Sequence, residues 1–284
     1  MNIVSFILEP FSYPFMQNAL LTLILVSFTS GILGVYVIVR RMAFIGDALA
    51  HTALPGVVAA FFLGWELFWG GLVAAIITSL IISWFSRSQE IHEDTAIGIA
   101  FTGMFALGIA LMSVLRTFRD LLHVLFGNIL AVNQNTLVLI AVVSTLVLLI
   151  AFFLRKELVW TSVDPIHAST QGLSPHLIRT ILLLLIAVVV TVDIQAVGVV
   201  LTSSLLITPA ASANLLTKRL IHFTALAVLL CLIGGLIGLY ASYYLSISSG
   251  AAIVLTNTLI FGFIWTIKMI GKSHGKKNKT TANY

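Results

Sequence analysis

Long apolar runs alternate with short polar punctuation along the whole chain. Phe15 to Val39, Leu67 to Phe85 and Thr95 to Leu115 are each continuously apolar and free of charge. Outer-membrane strands would show short segments of alternating polarity instead, whereas about 20 uninterrupted apolar residues let one helix cross hydrocarbon. The pattern predicts spans at 15–39, 44–64, 67–85, 95–115, 133–154, 178–195, 197–217, 222–245 and 250–267. That makes about nine membrane helices, or eight if the region before Val39 or around Pro209 is not a simple crossing. The expected fold class is all-α, a polytopic transmembrane helical bundle, because in lipid every backbone polar group must be satisfied internally.

Composition agrees with the pattern: 60% of the 284 residues are hydrophobic, 9% are charged, and the mean hydropathy is +1.11. Residues 1–270 are expected to form one transmembrane domain, with 155–179 as its longest polar insertion and 271–284 as a basic, disordered tail. No cleavable leader is expected, since residues 1–16 lack a basic start and contain Glu9, Pro10 and Pro14. The single cysteine, Cys231, lies in an apolar run and offers neither a disulfide nor a thiol pair.

The placement of charge says more than the net +5. With the N-terminus outside, all of the 15 Lys and Arg residues except Arg116 and Arg119 fall on the cytoplasmic side. This asymmetry predicts orientation, with the C-terminus cytoplasmic. The basic residues belong to the membrane boundary, and no nucleic-acid partner is expected.

Asp47 and His51 stand four residues apart inside the second predicted span, so a helix presents them on one face about 6 Å apart along its axis. Counting from Arg40-Arg41 at the inner interface, His51 is expected about 15 Å along the helix, near mid-membrane. An ionised Asp at that depth costs at least about 2.5 kcal/mol, so it calls for a partner or an aqueous path. One carboxylate oxygen and one imidazole nitrogen suit a first-row divalent cation. The same pair would also serve as hydrogen-bonding glue between helices or as a proton relay. Two ligands do not close a metal site, but a two-fold dimer around a central path would supply two oxygens and two nitrogens. Pro55-Gly56 predicts a bend just beyond the pair.

Other groups speak less clearly. Glu90, His92, Glu93 and Asp94 are expected to solvate and cap the helix that follows them. Asp193 and Glu66 are expected at the outer interface, where they could draw a cation inward. His123, His167, His176, His222 and His274 have no partner at diagnostic spacing. Pro209 predicts a kink whose freed carbonyl could line a path. Gly98, Gly103 and Gly108, with Gly234, Gly235 and Gly238, predict close helix contacts. Leu121 to Asn135 reads as an interfacial or re-entrant segment at the outer face. Asp164-Pro165 opens, and Gly172 closes, a short helix inside the polar insertion, either an ordinary loop or a docking surface. Gly271-Lys272-Ser273 lacks the upstream glycine and strand of a phosphate-binding loop, so the chain is not expected to hydrolyse nucleotide and is not an enzyme.

The run Arg40-Arg41-Met-x-x-x-Gly46-Asp47-Ala-x-x-His51-x-x-Leu54-Pro55-Gly56 resembles the signature of the membrane permease subunits of ABC-type manganese, zinc and iron importers, the ABC-3 family. Leu-Phe126-Gly127-Asn128-Ile-Leu, the stretch from Asp164-Pro165 to Gly172, Leu205-Leu-Ile-Thr-Pro209-Ala-Ala-Ser-Ala and Tyr243 to Gly250 resemble further segments of it, in order. The resemblance implies a homodimeric permease in the bacterial plasma membrane, docked on a cytoplasmic ATPase subunit and fed by an extracellular or periplasmic metal-binding protein. It implies Asp47 and His51 as the ion-coordinating pair, and Asp164, Pro165 and Gly172 as the frame of a helix coupled to the ATPase. No permanently bound cofactor is implied, only a transported divalent ion. Manganese is favoured over zinc or iron because no His-rich tract or thiol pair is present. Where family members carry further ligands after the proline span, this chain has Asn214 and Lys218. The contrasting expectation is a proton-coupled secondary transporter built on the same pair.

Overall fold

The computed structural model describes residues 9–87, 90–115 and 128–280. Its helices are α1 Pro14–Val39, α2 Ile45–Thr52, α3 Leu54–Leu63, α4 Leu67–Phe85, α5 Glu93–Leu115, α6 Gln134–Phe153, α7 Arg155–Val163, α8 Pro165–Thr170, α9 Pro175–Val197, α10 Val199–Leu216, α11 Leu220–Leu245 and α12 Ser249–Thr280. Among the described residues, nine helical stretches are long and apolar enough to cross a membrane, with α2 and α3 together making the second. The two regions behind the alternative of eight spans, before Val39 and around Pro209, each form one continuous helix of that kind. Residues 121–127 of the expected outer segment 121–135, with Arg116, Arg119 and His123, lie outside the described residues, while Ile129–Ala131 forms a short 3-10 turn before α6.

Local chemistry marks the helix ends. Asn133 Oδ1 accepts from Thr136 N at 2.8 Å to open α6, and Pro14 and Pro175 sit in the first turns of α1 and α9. Gly64 with φ +71° closes α3, and Gly198 with φ +85° separates α9 from α10. The backbone of α12 runs to Thr280, well into the stretch expected as tail.

Helices α1 and α9 are the most enclosed of the bundle. One apolar cluster joins Leu33, Met42, Ile45, Leu49, Ile97 and Ile186 around α2. A second joins Met16, Leu23, Leu201, Leu205, Cys231 and Ile253 along the N-terminal half of α1. Buried hydroxyls turn back onto their own helices, as Thr78 does to Ala74 O and Thr202 to Gly198 O, both at 2.8 Å. Pro209 removes the donor that would serve Leu205 O. That carbonyl instead accepts from the Cys231 thiol at 3.8 Å.

The glycines divide into two groups. Those of α11 pack as expected: a Cβ at Gly235 would strike Leu23, and one at Gly238 would strike Ile253. In α5, Gly108 lies against Leu54 and Pro55, but Gly98 and Gly103 have no neighbour within 4 Å of a built Cβ. The expected close contact at these two is therefore not made within one chain.

Candidate functional site

The turn from α1 into α2 determines where the Asp47–His51 face points. Arg41, at φ +60°, ends α1 in the left-handed conformation. Met42 N then donates to Val37 O at 2.9 Å and Arg41 N to Ile38 O at 3.2 Å, the paired bonds of a Schellman end. Buried Met42 supplies its apolar contact. Because residues 40–44 turn instead of continuing as helix, His51 lies only about 9 Å along α2 from Ile45, shallower than a continuous helix would place it.

Helix α2 wedges among α4, α5, α9 and α10. Gly46 permits this, since a Cβ there would come within 3.0 Å of Leu206 Cδ2 on α10. Ala53 then breaks the span, and Leu54-Pro55 restart it as α3, so the predicted bend lies immediately after the pair. Next to it Gly56 and Gly70 meet backbone to backbone, each where the other's Cβ would be.

The predicted pair comes together on one face. His51 Nε2 stands 3.6 Å from Asp47 Oδ1, and both side chains are about one-third exposed. Two ligand atoms on one tetrahedral ion with bonds of ~2.1 Å lie about 3.4 Å apart, so a small adjustment lets both reach one cation. Two rings of α5 form the floor: His51 meets Phe105 edge-on at 5.7 Å and Phe101 at 6.1 Å. Phe101 and Phe105 stack at 5.7 Å and 11°. Sequence reasoning passed over these two phenylalanines, whose only signal was an i, i+4 spacing on one apolar helix. Among the described residues, no group of three or more His, Cys, Asp or Glu side chains forms a metal-binding cluster.

The remaining candidates lie elsewhere. Glu93 is drawn into an ion-pair cluster, 3.4 Å from Arg179 Nη1 and 3.9 Å from Arg40 Nη1. Asp193 is 1% exposed instead of interfacial, because the last two turns of α9 stay packed against neighbouring helices. Glu66 and Gln195 stand at a cavity of about 400 Å³ between α3, α4 and α9, behind the face that carries the pair. Lys218 Nζ donates to Asn214 Oδ1 at 3.1 Å.

In the polar insertion, Asp164 Oδ1 accepts from His167 N at 2.9 Å, Pro165 occupies the first turn of α8, and Gly172 with φ +79° ends the motif. The short helix stands proud of the bundle, with Ile166 79% exposed and only Ala168 buried. Arg40 ties α7, which leads into α8, to the turn before α2: Nε donates to Ser162 Oγ at 2.9 Å and Nη2 to Thr161 Oγ1 at 3.0 Å. Burial pulls the Arg40 pKa below the usual arginine value, and Glu93 opposes that shift.

A model of the ABC 3 transport family matches residues 12–268. Over 261 residues the chain is 40% identical to the manganese transport system membrane protein MntC of Halalkalibacterium halodurans, covering 92% of this chain and 89% of that one. It is 37% identical to a probable iron transport system membrane protein of Haemophilus influenzae, covering 90% and 94%. Among solved structures it resembles PsaBC from Streptococcus pneumoniae in complex with Fab, with a TM-score of 0.79 and 35% identity, covering 93% of this chain and 95% of that one.

Proposed function

The chain belongs to the ABC 3 transport family, and from that premise we propose that it is the permease through which an ATP-driven importer moves divalent transition metal ions, manganese first, by alternating access. The observation that carries the reading is the Asp47–His51 pair, held 3.6 Å apart with both side chains about one-third exposed, within a candidate membrane span. Among the described residues one chain offers this cation two ligands, so the pathway is formed by a homodimer in which two carboxylates and two imidazoles converge. The open surroundings of Gly98 and Gly103 on neighbouring α5 suit the approach of a second copy.

Residues 1–270 constitute the permease domain, and the basic stretch 271–284 anchors the cytoplasmic side. Asp164, Pro165 and Gly172 frame the exposed α8, which is the docking helix for a cytoplasmic ATPase subunit. A metal-binding protein outside the membrane delivers the ion. Closure of the ATPases pushes α7 and α8, Arg40 passes the displacement to the turn before α2, and the pair is presented to one side and then the other. Carboxylate and imidazole accept manganese, iron and zinc alike. Manganese is preferred on the absence of a thiol pair or His-rich tract and on the similarity to the manganese transport protein MntC.

The test is uptake into proteoliposomes holding the chain with its ATPase, with manganese, iron and zinc supplied together and counted by mass spectrometry. Manganese should enter with ATP and stop with Asp47→Ala or His51→Ala. Uptake that survives the double substitution overturns the site. Uptake driven by a proton gradient without the ATPase replaces the mechanism with secondary transport.

A further inference from the structure

A second feature lies on a different side of the bundle and is independent of the metal pair. Helices α1, α6, α7 and α11 leave between them a groove of about 980 Å³, with no lining from α2, α5 or α10. Its walls are apolar, including Ile32, Leu148, Leu149 and Val159. Its mouth is basic: Arg155 and Lys156 open α7 there, with Trp160 one turn further on. Arg155 is held over the Phe152 ring at 5.2 Å, which turns the guanidinium toward the groove wall. Among the described residues neither cation has a carboxylate within ion-pair distance, and the adjacent Glu157 does not line the groove.

The dimensions match one leaflet. From Arg155 the groove follows α6 to Thr145, ten residues or about 15 Å of helix, which is half the hydrocarbon thickness of about 30 Å. The charged mouth lies at the end that the lysine and arginine asymmetry assigns to the cytoplasm, where anionic headgroups attract basic residues. Trp160 is an aromatic ring of the kind that settles at headgroup depth. Two unpaired cations above an apolar slot one leaflet deep are complementary to a phosphodiester carrying acyl chains. A zwitterionic lipid offers these cations no net charge, and a soluble anion leaves the slot unfilled.

We propose that this groove is a binding site for an anionic phospholipid of the cytoplasmic leaflet, its phosphate held by Arg155 and Lys156 and its acyl chain lying between α1, α6 and α11. The bound lipid fixes the first turn of α7.

Native mass spectrometry of the purified full chain, titrated with phosphatidylglycerol or with phosphatidylcholine of the same acyl chains, tests this. Phosphatidylglycerol should be retained about thirtyfold more tightly, the difference expected of two interfacial cations. Arg155→Gln with Lys156→Gln should erase the preference, whereas Arg87→Gln, a cation outside the groove, should leave it. Leu149→Trp, which fills the slot, should weaken both lipids. Equal retention of the two lipids by the wild-type chain overturns the proposal. So does displacement of phosphatidylglycerol by inorganic phosphate, which would reduce the feature to a surface anion site. If the double variant does not fold, Arg155→Lys with Lys156→Arg keeps both charges and must keep the preference.

Discussion

Arg40 donates from Nε to Ser162 Oγ at 2.9 Å, joining the end of α1 to α7 across 122 positions of sequence. The same guanidinium reaches Thr161 and stands 3.9 Å from Glu93, whose carboxylate also faces Arg179. One side chain thus links the segment before the exposed α8, the turn before the Asp47–His51 pair, and the first turn of α5. Its fork geometry supports this in a way a lysine's point charge cannot. Arg40→Ala leaves a partly buried carboxylate with one cation and two hydroxyls without their donor, and should destabilise the protein by about 3 kcal/mol. Arg40→Lys should fold with a smaller loss yet, in the proposed complex, transport poorly while ATP hydrolysis by the proposed ATPase subunit continues. Thermal unfolding, uptake and hydrolysis measured on the same complex check this, and full coupling in the lysine variant would refute the link.

Protons should compete with the transported ion. A carboxylate and an imidazole bind metal in their deprotonated forms, so metal affinity falls as the medium is acidified. Uptake should weaken as the medium is acidified, because each proton bound to the pair excludes the metal. Raising the metal concentration should restore it. A loss at low pH that excess metal does not relieve would point to a proton acting elsewhere.

Gly56 and Gly70 should not tolerate a methyl group. Each added Cβ meets the carbonyl oxygen of the opposite glycine, and backbone cannot move aside as a flexible side chain can. Gly70→Ala should cost about 1–3 kcal/mol and loosen the hairpin just beyond His51. Gly103→Ala, made in open space on α5, should be neutral or slightly stabilising in the isolated chain through helix propensity. A matching loss at both positions, read from thermal unfolding of the monomer, would contradict the packing.

Run lengths were enough to read the nine spans, because hydrocarbon thickness fixes the residues a helix needs. The bend after His51 was legible in Pro55, and the start of α8 in Asp164-Pro165, because both act through bonds within a few residues. Long-range geometry was not legible. Gly98 and Gly235 look alike as small residues in apolar runs, yet only Gly235 faces another helix of the same chain. Asp193, read as interfacial, is buried because α9 stays enclosed to its last turns. Arg40 reads as a topology anchor, and nothing local links it to Ser162.

Arg41 offers a stabilising change. It occupies the left-handed position of a Schellman end that glycine usually fills, at φ +60°. A non-glycine residue there costs about 1–2 kcal/mol. Its side chain is exposed. Arg41→Gly should recover about 1 kcal/mol, offset in part by the greater freedom of glycine in the unfolded chain. A lowered unfolding midpoint would mean that the exposed guanidinium makes a contact worth more than the strain.

Asp193 should be a liability to stability. It is 1% exposed, its Oδ2 has no hydrogen-bond partner among the described residues, and its neighbours Val192 and Ala196 belong to an apolar cluster with Leu201 and Leu205. A carboxyl group in such surroundings is costly whether or not it is ionised, and a buried polar atom without a partner loses on the order of 1–3 kcal/mol. Asp193→Leu keeps the branched four-atom side chain, though with bulkier methyl groups, while removing both oxygens, and should raise the thermal midpoint of the purified chain. Asp193→Asn keeps the shape and the hydrogen-bonding need, so it should gain less. If both substitutions lower the midpoint, the carboxylate is satisfied by a bound water or cation, and the gain expected from removing it would be refuted.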